Sequence, residues 1–571
     1  MHVARVLPDL TGLDKTFNYL VPDEFADRIA VGTLVRIDLH GRRVGGWVLE
    51  RHGEPGPRPL KPIAKLTGVG PDQAMIDLAE WATTRWAAVR IRPFLVAASP
   101  PRAVTNLPDS QRTGSAPGPA SPATTALLAR GGGVLRLPPR TDVVPSLLSA
   151  AATGPTLVVT PVAAEASLIA VRLRRAGLTV AEAPGEWARA AGGVDVVIGP
   201  RTAAWAPCPD LAAVVVLDEH DERLQAERSP TWHARDVLIE RGRRAGVPVV
   251  LVSPTPTLAA IEATGGPGVV VHPPSRRERS GWPRIDTVDR RGEAPWQRSL
   301  LTSALIERLR DHSSTVVCVS NITGRARLLA CRNCRALLRC ERCAAAVGLD
   351  DDGRLRCRRC GTTRPPVCQE CAGTGFANLR PGVTRLREEL EAAAGRAAIA
   401  VTGADAGPIA DAGVYVGTEA VLHRLGRSVD VVAFLEFDSE LLAPRYRAAE
   451  QALALLVLAG RLAPTVLVQT FIPDHEVLQA VRSGDPGRLV ADEQARRRLL
   501  RFPPYAAVGL LSGSGSAELA AALPAEVDVA ALDDATILVR ADDWMQLGAA
   551  LNAAPRPTGA RARVAIDPPR L

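Results

Sequence analysis

Eight of the chain's ten cysteines fall in four C-x-x-C pairs: Cys331 with Cys334, Cys340 with Cys343, Cys357 with Cys360, and Cys368 with Cys371. Each pair makes a tight turn that presents two sulfurs at metal distance, and each needs a second pair to complete a tetrahedron. Eight thiolates therefore predict two zinc sites of four cysteines each, with nested and interleaved pairings both open to this spacing. A closed site of that kind folds a segment with too little core of its own and leaves no coordination position for catalysis. Thiols in this pattern fit a reducing compartment better than a disulfide framework. Cys208 and Cys318 stand apart and read as buried thiols. Around the pairs, Arg332, Arg335, Arg339, Arg342, Arg354, Arg356, Arg358 and Arg359 would set positive charge beside the metals, a surface for DNA or protein.

The remainder of the 571 residues reads as multidomain α/β. Residues 1–100 hold short strand-forming runs (ARVLPDL, TFNYLVP, TLVRIDL, GGWVLERH) and then PDQAMIDLAEWATTRWA, an amphipathic helix, so a small β-rich unit closed by a helix is expected. Residues 101–123 are rich in Pro, Ser and Gly and read as a flexible linker. Apolar strands then alternate with helical segments over 124–287 (TLVVTP, GVDVVIG, AVVVLDE, VPVVLVS), the pattern of a parallel sheet covered on both faces. A second such lobe is expected over 288–330 and 376–484, with the cysteine block as an insert at 331–375. Residues 485–571 begin with a basic helix, DEQARRRLLRFPPY, and continue as a small α+β unit.

The formal net charge of +8 permits a polyanionic partner without naming one. No run of about 18 apolar residues and no basic-then-apolar leader is present, so a cytoplasmic protein with no membrane partner is expected.

Val214–Asp221 reads VVVLDEHD, a buried strand delivering Asp218 and Glu219 at its carboxyl end. Nucleotide hydrolases hold Mg²⁺ and aim a water with such a pair. They also need a phosphate loop whose backbone amides and lysine cradle the phosphates. The corresponding stretch here is GGGVLRLPPRTD (131–142), where Pro138 and Pro139 remove two N–H donors. The chain's lysines are Lys15, Lys61 and Lys65, so neither lobe carries one. Arg140 is the nearest cation, and its planar guanidinium fits poorly in a loop built for a compact ammonium.

Several stretches together resemble the primosomal replication-restart family PriA, in its shortened actinobacterial form. They include TFNYLVP, GPRTA, LDEHDERLQAERSPTWHARDV, SPTPTL, the cysteine block, VGTEAV, YRAAEQALALLVLAGR, VLVQTFIPDH, RRRLLRFPPY and RVAIDPPRL, and they cover nearly the whole chain in order. The resemblance implies an N-terminal domain that binds a DNA 3′ end through Phe17, Asn18, Gly41 and Lys61. It further implies two RecA-like helicase-type lobes, a two-zinc insert and a small C-terminal α+β domain. It implies nested zinc pairing: Cys331, Cys334, Cys368 and Cys371 on one ion, Cys340, Cys343, Cys357 and Cys360 on the other. Asn18 stands where the family usually has Asp, and the paired arginines of the second lobe have shrunk to Arg461, with Pro464 in the second place. The expected function is thus fork recognition and replisome reloading with other primosome and replication proteins, single-stranded-DNA-binding protein among them. Asp218, Glu219 and Arg461 would be a vestigial ATP and Mg²⁺ site without helicase turnover. The alternatives are an ATP-dependent 3′→5′ helicase that uses Arg140 at the phosphates, and a zinc-ribbon adaptor that binds mainly protein.

Overall fold

The computed structural model describes residues 2–571 apart from 53–58, 115–117, 119, 267–274, 293–299, 321–328, 351, 379–382, 402–406, 408, 534 and 558. Portions of the expected linker and of the start of the second lobe lie outside the described residues.

Strands β1 (His2–Pro8), β2 (Phe17–Val21), β3 (Leu34–Leu39), β4 (Arg42–His52) and β5 (Lys65–Gly68) form an antiparallel sheet in the order β2-β1-β4-β3-β5. Residues 61–64 lie between its two ends. The Leu20 amide donates to the Lys61 carbonyl, the Ile63 amide to the Leu20 carbonyl, and the Ala64 amide to the Arg36 carbonyl, so the sheet curls toward closure. Ala4, Val6, Val35, Ile37 and Val48 alternate into its interior, as a half-buried strand pattern dictates. The helices Gln73–Arg85 and Arg92–Ala98 then carry the chain to the next layer.

Strands β6 (Gly132–Arg136), β7 (Thr156–Val159), β8 (Val180–Glu182), β9 (Val196–Gly199), β10 (Ala213–Leu217) and β11 (Val249–Ser253) form a parallel sheet ordered β6-β11-β10-β7-β9-β8. Every residue of β7, β9 and β10 is buried, because helices cover both faces. A second parallel sheet is built from β12 (Arg284–Asp289), β13 (Val316–Val319) and, beyond the cysteine insert, four further strands. The insert contributes short β14 (Leu329–Cys331), β15 (Val347–Leu349), β16 (Leu355–Cys357), β17 (Thr363–Arg364) and β18 (Phe376–Asn378). The sheet resumes with β19 (Ala398–Val401), β20 (Val414–Gly417), β21 (Val431–Phe434) and β22 (Thr465–Thr470), in the order β12-β22-β21-β13-β20-β19. A four-stranded antiparallel sheet, β24-β25-β23-β26, closes the chain, with β23 (Ala507–Ser512), β24 (Asp528–Asp533), β25 (Thr536–Ala541) and β26 (Arg563–Ile566).

Two expectations need correction. The residue pattern places 284–287 in the first lobe, yet β12 pairs in parallel with β22, so the second lobe's sheet begins before 288. A short parallel strand has the same residue pattern in either sheet, and only pairing decides. The described part of the linker is also held in place. The Thr113 amide and hydroxyl donate to Asp195 at 3.0 and 2.8 Å, and Arg112 pairs with Asp210 at 2.8 Å.

The N-terminal helices, first lobe and C-terminal domain share one core. Trp86, Phe94, Trp205 and Trp232 touch in series, with ring centroids 6.4, 5.3 and 5.8 Å apart. Arg85 lies over the Trp86 and Trp544 rings and pairs with Asp236 at 2.7 Å. The C-terminal segment ties the lobes together. The Thr231 hydroxyl donates to the Ile566 carbonyl from one side, while Tyr446 and Arg447 meet the Asp567 carboxylate from the other at 2.5 and 2.7 Å.

Candidate functional site

The cysteine insert is built from four turns of one kind. In each, the amide after the second cysteine donates to the carbonyl of the first: Arg335 to Cys331, Ala344 to Cys340, Gly361 to Cys357 and Ala372 to Cys368. Those four residues have φ of 64°, 58°, 75° and 57°, the left-handed turn that brings both sulfurs to one side. The sulfurs gather as Cys331, Cys334, Cys368 and Cys371, and as Cys340, Cys343, Cys357 and Cys360, each set within 4.8 Å. The contacts of 3.4–3.5 Å between partners are far too long for a disulfide bond. They approach the edge of roughly 3.8 Å that a tetrahedron with Zn–S bonds of about 2.3 Å would have. Amide donors from Cys334 and Asn333 lower the Cys331 thiol to about 7, favouring the thiolate. The donor set thus fits a thiophilic divalent ion at each of two places. By contrast burial pushes Cys208 up to about 11 and Cys318 up to about 12, as suits inert core thiols.

The insert is pinned to the second lobe by the Ala346 amide, which donates to the Leu442 carbonyl at 2.7 Å, and by Arg359, which donates to the Cys343 and Ala443 carbonyls. Arg359 is therefore spent internally. Arg332, Arg335, Arg342, Arg354, Arg356 and Arg358 are exposed, and Arg339 is half-buried.

Of Asp218, Glu219 and Arg461, the structure brings Asp218 and Arg461 together in the cleft between the lobes. Asp218 follows β10 with a left-handed φ of 50° and is buried. Arg461, at the end of the helix Ala448–Leu462, places Nη1 and Nη2 each 2.5 Å from a different oxygen of Asp218. Burial opposes the charge on Asp218, but the Arg461 guanidinium outweighs it and holds the carboxyl below its usual range. Glu219 does not face the cleft. Its oxygens accept from the Thr257 amide and hydroxyl at 2.7 and 2.9 Å and pair with Arg235 at 3.3 Å, so it fixes the Ser253–Thr257 turn. Arg140 donates through Nε to the Gly460 carbonyl at 2.8 Å, and Arg461 Nε donates to the Pro139 carbonyl at 3.2 Å. The stretch that would be a phosphate loop is thereby clasped to the opposite lobe. A Cβ on Gly281 would stand 2.3 Å from Pro138, so the second lobe's backbone packs directly upon it.

In the N-terminal domain Gly41 and Lys61 come together at Asp38 near the end of the β3–β4 hairpin, while Phe17 and Asn18 open β2, opposite Val6 and Arg5 of β1. His40 and Gly41 both have positive φ, 51° and 78°, in a two-residue turn, and a Cβ at Gly41 would meet nothing within 4 Å. Lys61 Nζ lies 2.7 Å from Asp38 Oδ1, and the Gly41 amide donates to the same oxygen at 3.3 Å. The Tyr19 hydroxyl donates to the Asp38 carbonyl at 3.0 Å. Phe17 is half-buried beside exposed Asn18, and the Lys15 ammonium lies 5.7 Å from the Phe17 ring centre. Sequence reasoning missed Asp38 and Lys15. Lys15 had a signal, since it is one of only three lysines and stands two residues before an aromatic.

A family model described as the 3′DNA-binding domain (3′BD) of PriA matches residues 5–97. The replication restart protein PriA of Bacillus subtilis is 28% identical over 385 residues, which cover 62% of this chain and 48% of the relative. The PriA of Synechocystis is 27% identical over 391 residues, covering 61% and 46%. The probable replication restart protein PriA of Mycobacterium tuberculosis is 29% identical over 572 residues, covering 88% of this chain and 85% of the relative. The chain spans about half the length of the first two relatives. Among solved structures, yeast Dbp5 bound to RNA and ADP BeF3 aligns with a TM-score of 0.33 at 10% identity, over 67% of this chain and 98% of that one.

The two parallel sheets, the matched domain and the cysteine tetrads define a multidomain α/β protein with an N-terminal domain similar to a 3′DNA-binding domain and an insert whose donor sets fit metal ions. Within that class, the chain is similar to PriA proteins at 28–29% identity, and over residues 5–97 to their 3′DNA-binding domain. Among the described residues no helix is long and apolar enough to cross a membrane.

Proposed function

We propose that this chain is a replication-restart factor that docks on forked or single-strand-containing DNA and presents a static scaffold to other primosome and replication proteins. One observation carries the scaffold reading: the acidic group that would hold Mg²⁺ is already held by an arginine of the opposite lobe, in a chain with no lysine beyond Lys65. Hydrolysis needs that carboxylate free for a metal and a cation at the β and γ phosphates. A working helicase would have to part Arg461 from Asp218 and release Arg140 from Gly460, and a planar guanidinium would then have to serve where a compact ammonium is needed.

DNA binding is assigned to the N-terminal cluster. Phe17 offers a ring for a terminal base, and Asn18 offers an amide that donates and accepts at a base edge. The open space over Gly41 admits a sugar, while Lys15 and Lys61 add positive charge. The cysteine tetrads are assigned to two zinc ions, held by Cys331, Cys334, Cys368 and Cys371, and by Cys340, Cys343, Cys357 and Cys360. Zinc supplies a crosslink where the insert's own core is small. The exposed arginines around it extend the basic surface for a phosphate backbone.

Binding to a fork with an available leading-strand 3′ end, measured by fluorescence anisotropy over a salt series, tests this. Fork binding that weakens as salt rises, without strand separation on adding ATP, is expected. Salt-independent binding, or none, would instead favour a protein-binding adaptor.

A further inference from the structure

We infer that the first cysteine tetrad is a peroxide-sensitive thiol switch: Cys334 and Cys371 are the sulfurs oxidised first, Cys368 and Cys331 close the disulfides, and the second tetrad stays shut. This inference rests on the two-zinc reading above and adds that the two sites differ in kind.

The two sets share a turn geometry but not an environment. In the second, Cys340, Cys343 and Cys357 belong to the buried core of the insert and Cys360 is half-buried. In the first, Cys331 and Cys368 belong to that core, whereas Cys334 and Cys371 are exposed. Their turns are open throughout, since residues 332–335 and 369–372 are all exposed. A thiol's reactivity follows its access to solvent, so attack from outside begins at these two sulfurs.

The sulfur contacts of the first set pair one of each kind. Cys334 Sγ lies 3.5 Å from Cys368 Sγ, and Cys371 Sγ lies 3.5 Å from Cys331 Sγ. Each sulfur that an oxidant can reach therefore has a shielded sulfur beside it to complete a disulfide, which is what reversible thiol oxidation needs. The second set has the same spacing, 3.4 Å between Cys340 and Cys360 and 3.5 Å between Cys343 and Cys357, but no fully exposed sulfur to start from. It is also the set clasped to the second lobe, because Arg359 donates to the carbonyls of both Cys343 and Ala443.

Hydrogen peroxide is the oxidant, and the step balances with it. The Cys334 thiolate attacks a peroxide oxygen: an S–O bond forms, the O–O bond breaks, and the departing hydroxide takes up a proton to become water. The Cys368 thiolate then attacks the sulfenic sulfur, an S–S bond forms, the S–O bond breaks, and a second water is released. Two thiolates lose two electrons and one peroxide gains them. Cys371 and Cys331 repeat the sequence with a second peroxide. A tetrahedral ion that loses two of its four donors is no longer held, so the first site empties. Arg332 and Arg335 sit in the outer turn and lose their fixed place, while the second tetrad keeps the insert on the lobe.

The test uses the full chain loaded with two zinc ions and treated with hydrogen peroxide. A metallochromic indicator follows zinc release, and mass spectrometry after blocking of free thiols maps the disulfides in order of appearance. One ion should leave at least about tenfold faster than the other, as exposed thiols outpace buried ones. The first disulfide should be Cys334 to Cys368 or Cys331 to Cys371, and dithiothreitol with added zinc should restore the ion. Cys340→Ser, which retains the first ion, should release it quickly; Cys334→Ser, which retains the second, should release it slowly. The disulfide map of the native chain reads the same order without a variant, so a variant that fails to fold leaves the test standing. Two ions that leave together, a first site that resists peroxide, or first disulfides among Cys340, Cys343, Cys357 and Cys360 overturn the inference alone. Fewer than two ions before any peroxide is added contradicts the zinc reading and takes this inference with it.

Discussion

Arg461 of the second lobe and Asp218 of the first, 243 residues apart in sequence, meet through two parallel contacts of 2.5 Å. The fork of a guanidinium matches the two oxygens of a carboxylate, so the pair fixes both distance and orientation between the lobes. Arg140 on Gly460 and the C-terminal tie through Asp567 act on the same interface. The lobes of a motor must change their relation in each cycle. Here they are joined through Asp218, the carboxylate that the proposed function places in a vestigial nucleotide site.

Replacing Arg461 with Ala should leave Asp218 buried without its partner. A third of the Arg461 side chain is exposed, so the cost is set below that of a fully buried pair, at about 1–3 kcal/mol. Thermal unfolding would show a lower midpoint, and hydrogen exchange should rise at residues 218–221 and 140–141. An unchanged midpoint and exchange pattern would remove the joint from the account.

Glu165 faces the same cleft, and burial, helped by the Asp218 charge, raises its carboxyl to about 7. A carboxyl raised in the folded state binds its proton more tightly there than in the unfolded chain, so folding is penalised as pH rises from about 4.5 to 7. Glu165→Gln removes that penalty. The variant should be more stable than the native chain at pH 8 and nearly equal to it at pH 4.5, as read from paired thermal melts. The opposite pH trend would mean that Glu165 is ionised and well paired.

The metal content of protein purified under reducing conditions should be about two zinc ions per chain, as eight thiolates in two tetrahedra require. Cys340→Ser should remove one ion and leave the Cys331 tetrad loaded. Chelation should also loosen the second lobe around Leu442 and Ala443, where the insert is fastened. Elemental analysis that finds one ion or none contradicts the assignment.

Lys61→Ala should weaken DNA binding about equally across sequences and reduce the salt slope by about one, the mark of a contact with phosphate or its field. Titrations of two unrelated sequences at several salt concentrations would read both effects. A loss confined to one sequence would point to base reading instead.

Gly548 lies where the helix Trp544–Ala553 meets Gln73–Arg85, and a Cβ there would stand 1.7 Å from the Thr84 carbonyl oxygen. Gly548→Ala should destabilise the chain by about 1–3 kcal/mol, as overpacking does, and should separate the C-terminal domain from the N-terminal helices in limited proteolysis. Native-like stability would show that the two helices can move apart freely.

Much of this architecture is legible in the residues, and the rest is hidden for identifiable reasons. The apolar runs that become β7, β9 and β10 are readable because strands buried on both faces need no alternation. The cysteine turns are readable because metal chemistry fixes their spacing. The pairing of Arg235 with Glu219 was foreseeable from local charge, but the partnership of Arg461 with Asp218 was not, since it depends on how two lobes close. Asp38 was hidden because a carboxylate near a hairpin end looks like an ordinary solvated turn residue until Lys61 is seen beside it. Asp195 similarly turns a Pro- and Gly-rich stretch into a fastened one by offering both oxygens to its backbone and hydroxyl donors.

The most direct test is ATP binding and turnover by the metal-loaded chain, measured with and without a fork that carries a leading-strand gap. The account predicts no turnover above background in either case, and no change on Asp218→Asn or Arg461→Ala. Fork-stimulated hydrolysis that Asp218→Asn abolishes would contradict it.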